Sequence, residues 1–95
     1  MFDVYILKSE KSGRFYIGYS EDSDRRLSEH NSGKVASTRN YRPWSKVYTE
    51  PFKTELEAIR REREIKARKS RIYLQKLIDG GGIGRHVPIL DRDGQ

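Results

Sequence analysis

The chain has 95 residues, 34% of them hydrophobic, and carries 20 Lys and Arg against 14 Asp and Glu, for a formal charge of +6 and a pI near 9.7. A chain of that size holds one modest core, and its positive surplus favours a polyanionic partner, nucleic acid before an anionic membrane. The absence of cysteine excludes disulfides, thiolate zinc sites and a cysteine nucleophile, and suits a reducing cytoplasm. With two histidines, any metal should have oxygen ligands. No stretch approaches the roughly 20 apolar residues of a membrane helix, and the apolar start is too short for a signal-peptide core.

Residues 2–7 alternate, with Phe2, Val4 and Ile6 on one face and Asp3, Tyr5 and Leu7 on the other, which is the period of a half-buried strand. Residues 14–19 repeat the pattern after a polar link ending in Gly13, so the two segments are expected to pair as an antiparallel hairpin. A register that sets Leu7 opposite Arg14, Ile6 opposite Phe15, Val4 opposite Ile17 and Phe2 opposite Tyr19 collects the large apolar groups on one side. It also sets Tyr5 directly opposite Tyr16.

A helix is expected from Asp22 or Ser23, either of which can cap it, with Asp24 in its first turn and Asn31 and Gly33 as stop signals. Residues 34–43 read as a loop, Trp44 to Glu50 as a short third strand and Pro51 as its break. Residues 54–78 read as helix interrupted around Arg68 to Arg71, with Leu56, Ile59, Ile65, Ile72, Leu77 and Ile78 as its apolar residues. The expected domain is 1–79, and the glycine-containing segment 80–95 has no period and reads as a flexible tail.

Four features carry chemistry. Tyr5 and Tyr16, paired on the more polar face, could orient a water and pass on its proton. With a reference pKa of about 10, a phenol needs a neighbouring cation to favour phenolate, and two strand tyrosines more often simply pack against a helix. Arg26 and His30, four residues apart, share a helix face, and a guanidinium beside an imidazole suits a phosphate site, although it also suits an ordinary charged surface helix. Arg25 and Glu29 form a separate pair.

Glu62 lies within the apolar stripe of the long helix, between Ala58, Ile59 and Ile65, and so needs a partner. A hydrated magnesium ion is one such partner and Lys66, one turn on, is the other. Glu57 and Glu64 read as members of exposed ion pairs with the neighbouring arginines. The run Arg60, Arg61, Arg63, Lys66, Arg68, Lys69 and Arg71 can neutralise phosphates without reading bases, or be only a solvated face. Tyr41, Trp44 and Tyr48 could stack on bases, but Trp44 beside Pro43 and Val47 reads better as packing.

Val4-Tyr5-Ile6-Leu7, then Tyr16-Ile17-Gly18, then Arg25-Arg26-Leu27 and His30-Asn31, then Arg61-Glu62-Arg63-Glu64-Ile65-Lys66, together resemble the GIY-YIG endonuclease family over roughly residues 2–78. The order is more specific than any one motif, and the likeness is greatest to small stand-alone bacterial members. It implies an α+β fold within the broad α/β class, a small three-stranded antiparallel sheet flanked by helices in the order β-β-α-β-α, with a further helix.

By position, the resemblance places the family tyrosines on Tyr5 and Tyr16, the latter as general base, the arginine on Arg26, the next position on His30 and the metal-binding glutamate on Glu62. Asp3-Val4-Tyr5 departs from the family's Gly-Ile-Tyr, Tyr19 stands where some relatives have lysine, and the family's occasional late asparagine has no match.

The implied activity is magnesium-dependent hydrolysis of nucleic acid phosphodiesters, DNA before RNA, with manganese a substitute. Arg25, Arg60, Arg61, Arg63, Lys66 and Lys69 are the expected backbone contacts, and a protein partner could supply targeting. The alternatives are a nucleic-acid binding module that keeps the fold without turnover, and a protein-interaction module using the basic helix. Oligomeric state is not legible in the sequence.

Overall fold

The computed structural model describes residues 1–81. Its elements are β1 (Phe2–Ser9), β2 (Phe15–Ser20), α1 (Ser23–Ser32), a single 3₁₀ turn at Arg39–Tyr41, β3 (Trp44–Phe52), α2 (Glu55–Arg68) and α3 (Arg71–Gly81). The strands form one antiparallel sheet in the order β2-β1-β3. Helix α3 runs to Gly81, and the expected tail lies, from residue 82 on, outside the described residues.

Helices pack on both faces of the sheet, so Val4, Tyr5, Ile6 and Leu7 of the central strand β1 are all buried to 1% exposure or less. Val4 and Ile6 pack with Tyr48, Ala58, Ile65 and Leu74 beneath α2 and α3. Tyr5 and Leu7 pack with Trp44, Tyr16, Leu27 and Tyr41 beneath α1 and the loop that follows it. The face read from the sequence as polar is therefore a second core. Val4-Tyr5-Ile6-Leu7 is the continuous apolar run of a strand buried on both sides, not the alternation of a half-exposed one. Leu56 and Ile72, read as part of the apolar stripe, are 55% and 71% exposed.

The hairpin register differs from the expected one by two residues: Lys8 pairs with Phe15, Leu7 with Tyr16, Ile6 with Ile17, Tyr5 with Gly18 and Val4 with Tyr19. Ser9 shortens the turn. Its N-H donates to Arg14 O at 2.8 Å, and its hydroxyl accepts from Lys11 N and Ser12 N at 3.2 and 3.0 Å. Gly13, at φ +79°, occupies the left-handed conformation that closes the loop. A two-residue shift leaves every side chain on its face, so the apolar pattern cannot separate the two registers. The shift puts Gly18, not Tyr16, opposite Tyr5.

Strand β3 continues through Pro51, which pairs with Asp3 instead of breaking the strand. As an edge strand it needs no ladder N-H on its outer side, where proline is tolerated.

The helix termini follow local rules. Asp22 caps α1 by accepting from Arg25 N, and Gly33, at φ +88°, closes it by donating to Glu29 O and His30 O. Thr54 and Glu57 form a reciprocal capping box at α2, so Glu57 serves the helix start rather than an arginine pair. Lys69 turns left-handed at φ +49°, and Ser70 Oγ accepts from Tyr73 N at 3.1 Å, which together separate α2 from α3.

Arg61 points into the fold rather than toward solvent. Its Nε donates to Glu50 at 2.9 Å and its Nη1 to Glu64 at 2.6 Å and to the Tyr73 hydroxyl at 3.2 Å. Burial opposes its charge, but Glu50 and Glu64 outweigh burial and hold its pKa above the ordinary value. Arg61→Ala is expected to cost about 3 kcal/mol, because it removes a guanidinium that bonds the buried Glu50 carboxylate, Glu64 and Tyr73 together. Urea unfolding at neutral pH measures the loss.

Candidate active site

The side chains predicted from the sequence converge where the second core meets the edge of the sheet at β2. Tyr5 and Tyr16, on adjacent strands and diagonal rather than opposite, have ring centroids 6.3 Å apart. The space between β1 and β2 at this point exists because residue 18 has no side chain. A Cβ on Gly18 would sit 2.7 Å from the Tyr5 hydroxyl oxygen, 2.9 Å from Cζ and 3.2 Å from Tyr16 Cε2. The Tyr5 ring lies over the glycine, and the third position of Tyr16-Ile17-Gly18 is thus a seat for the first tyrosine.

Helix α1 carries Arg26 near enough to the Tyr5 hydroxyl for each group to shift the other's pKa. Burial raises the Tyr5 pKa more than Arg26 lowers it, so Tyr5 stays a neutral phenol near pH 7. Tyr16 and the Glu62 carboxylate raise it further, which places both within electrostatic reach of the same phenol. Arg26 also pairs with Glu29, which Arg25 reaches at 3.7 Å from a more exposed position.

His30 is fully buried and its ring packs at a tilt against Tyr16, with centroids 4.5 Å apart and planes at 58°. Its Nδ1 lies 2.8 Å from Thr38 Oγ1, whose hydroxyl donates to Val35 O at 3.3 Å. Nε2 is buried without a hydrogen-bond partner among the described residues. Sequence reasoning missed Thr38, because it lies in an aperiodic loop and only the folded chain brings it to His30.

Burial and the Arg26 charge lower the His30 pKa from 6.5. The unfolded chain therefore binds more protons at this residue just below pH 6.5, so its contribution to stability is full above that value. The contribution falls with acidification until the native imidazole itself protonates. Urea unfolding from pH 7.5 to 5 is expected to show a steeper acid loss for the wild type than for His30→Gln.

Asn31, read as a stop signal and as part of the His30-Asn31 motif, fixes the end of α1 to β3. Its side-chain Oδ1 accepts from Trp44 N at 2.7 Å and its Nδ2 donates to Trp44 O at 3.0 Å. Trp44 is buried, and its indole N-H donates to Thr38 O at 2.9 Å, so it packs the loop rather than standing open to bases. Tyr48 is likewise buried, donating to Glu50 at 3.2 Å.

Across the sheet edge, α2 supplies Glu62, whose side chain is 17% exposed and lies 3.4 Å from Lys66 Nζ. Lys66 is 54% exposed, and so exposed a pair contributes little. One helical face also carries Glu55, which accepts from the Tyr19 hydroxyl at 3.1 Å. Among the described residues no three acidic or histidine side chains cluster to hold a metal. The donor set fits a cation that takes one carboxylate and fills its other positions from water and phosphate, as magnesium does.

The basic residues divide. Arg25, Arg60, Arg63, Lys66 and Lys69 are exposed. Arg61, expected among the phosphate contacts, is withdrawn into its ion pair with Glu50.

The GIY-YIG catalytic domain profile matches residues 1–76. The chain belongs to the GIY-YIG family of nucleases. It is 44% identical over 79 residues to a UPF0213 protein of Staphylococcus saprophyticus, covering 82% of this chain and 94% of that one. A UPF0213 protein of Halobacterium salinarum is 42% identical over 67 residues, covering 70% and 86%. The solution NMR structure of the UPF0213 protein BH0048 from Bacillus halodurans superposes with a TM-score of 0.52 at 40% identity, covering 83% of this chain and 84% of that one.

The GIY-YIG fold, three antiparallel strands with three helices in the order β-β-α-β-α-α, is thus the one expected. The family implies nucleic-acid binding. Among the described residues no helix is long and apolar enough to cross a membrane.

Proposed function

We propose that this GIY-YIG protein is a metal-dependent endonuclease that hydrolyses nucleic acid phosphodiester bonds, with DNA as the favoured substrate. The observation that carries the reading is the packing of Tyr16 between Tyr5 and His30, with ring centroids 6.3 and 4.5 Å apart, where the charges of Arg26 and Glu62 also act on the Tyr5 phenol.

Arg26 binds the phosphate and stabilises the extra negative charge of its five-coordinate transition state. Tyr16 orients the attacking water and takes its proton as the phenol's own proton passes to solvent, and the leaving oxygen departs with a proton from water. His30 cannot reach water itself, since it is fully buried, and acts through the Tyr16 ring it contacts. Tyr5, a neutral phenol within the field of Arg26, helps position the guanidinium. Glu62 would hold one magnesium or manganese ion, which when bound supplies a Lewis acid for the phosphate and its leaving oxygen. The exposed Arg25, Arg60, Arg63, Lys66 and Lys69 give affinity for the backbone without reading bases.

The test is incubation of the wild type with labelled single-stranded, duplex, flap and branched DNA and RNA, in magnesium, manganese or chelator. Cleavage in either metal and none in chelator is expected, on DNA before RNA. Salt-sensitive binding with no cleavage of any substrate would contradict the nuclease reading and leave a binding module.

A further inference from the structure

Beyond the C-terminus of α1, Lys11 from the β1–β2 turn, Asn31, and Arg39, Asn40, Arg42 and Pro43 from the following loop line an open cleft of about 520 Å³. Three of these six residues are cations, two are amides and none is acidic. Among the described residues Lys11, Arg39 and Arg42 form no ion pair, whereas Arg25, Arg26, Lys46, Arg61 and Lys66 each reach a carboxylate.

Backbone contacts aim the cleft's cations. Arg42 Nε donates to Arg39 O at 2.7 Å, and its guanidinium lies against Gly33, where a Cβ would fall 2.8 Å from Nη1. Lys11 Nζ donates to Asn40 O at 3.3 Å. Asn31 spends Oδ1 and one Nδ2 proton on Trp44, which leaves a second N-H.

A concave wall of donors with three like charges is unfavourable when empty. The carbonyls at the end of α1 offset only part of that repulsion. An anion offsets the rest, and two guanidinium forks suit phosphate oxygens. The loop that carries the cleft also holds the reacting cluster: Asn31 follows His30, and Arg39 follows Thr38, which bonds His30.

We propose that this cleft is a second phosphate-binding subsite, which grips the nucleic acid backbone. The proposal rests on the nucleic-acid reading above and gives it a substrate-holding surface separate from Arg26.

The test is binding of a labelled DNA duplex in chelator across a salt series. It compares the wild type with Arg39→Gln/Arg42→Gln, Lys11→Gln/Arg39→Gln and the control Lys53→Gln at the opposite end of the sheet. Both double variants are expected to bind roughly tenfold or more weakly, with the log-log salt slope shallower by about 0.9 for each phosphate no longer neutralised. Lys53→Gln is expected to bind as the wild type does. The Lys11/Arg39 pair keeps the test valid if Arg42, which also ties down the loop, proves necessary for folding.

Wild-type affinity and slope in the Lys11/Arg39 variant would overturn the subsite, and so would an equal loss in Lys53→Gln. Displacement of DNA by low inorganic phosphate at constant ionic strength would also overturn it, making the cleft a free-phosphate site. Weakened binding in the double variants of a protein that cuts nothing would sustain the subsite and refute the nuclease reading. No DNA binding by the wild type would refute both.

Discussion

Arg26→Ala is expected to lower single-turnover cleavage at saturating nucleic acid by roughly a hundred- to a thousandfold, the usual loss when a donor to transition-state charge is removed. Affinity should change far less, because other exposed cations contact the backbone. The fold should survive, since the Arg26 side chain is 32% exposed and sits at the rim of the core. Arg26→Lys keeps the charge but not the fork and should recover only part of the rate. Equal rates for Arg26→Ala and the wild type would remove Arg26 from the site.

Gly18→Ala is the second large effect. The new methyl would meet the Tyr5 hydroxyl at 2.7 Å. Tyr5 is 1% exposed and its strand is paired on both sides, so the ring has nowhere to go without opening the second core. The expected loss is about 1–3 kcal/mol of stability, with cleavage down roughly a hundredfold, as a displacement of about 1 Å can cause. Urea unfolding measures the first and single-turnover cleavage the second. The aromatic NMR resonances of Tyr5 and Tyr16 should shift, and unshifted resonances with full activity would show that Gly18 is not the seat of Tyr5.

The elements were legible because each is written locally: Asp22 and Gly33 bound α1, Thr54 opens α2 and Ser70 reopens the helix after Lys69. The register was not. Both candidate pairings keep the same faces, and the choice lies in the hydroxyl of Ser9, whose hydrogen bonds the apolar pattern does not encode. The second core was missed because β1 reads as a half-exposed strand until α1 and the loop after it are known to cover its other face.

Among the site residues, Arg26 and His30 could be paired from helical spacing, and Glu62 from its place in an apolar stripe. The inward turn of Arg61 was not legible in that stripe. Its partner Glu50 lies on β3, and an ion pair between distant segments has no sequence period. Thr38 and the donor-lined cleft belong to a loop with no repeat, so only the folded chain brings them beside His30 and Asn31.

The central claim is that the cluster around Tyr5 cuts phosphodiester bonds with a cation held by Glu62. The most direct measurement is single-turnover cleavage in magnesium by wild type and Glu62→Gln, with binding of the same labelled DNA measured in chelator. The predicted result is cleavage by the wild type, loss of nearly all of it in Glu62→Gln, and equal DNA binding by the two proteins. Equal cleavage by both would contradict the claim.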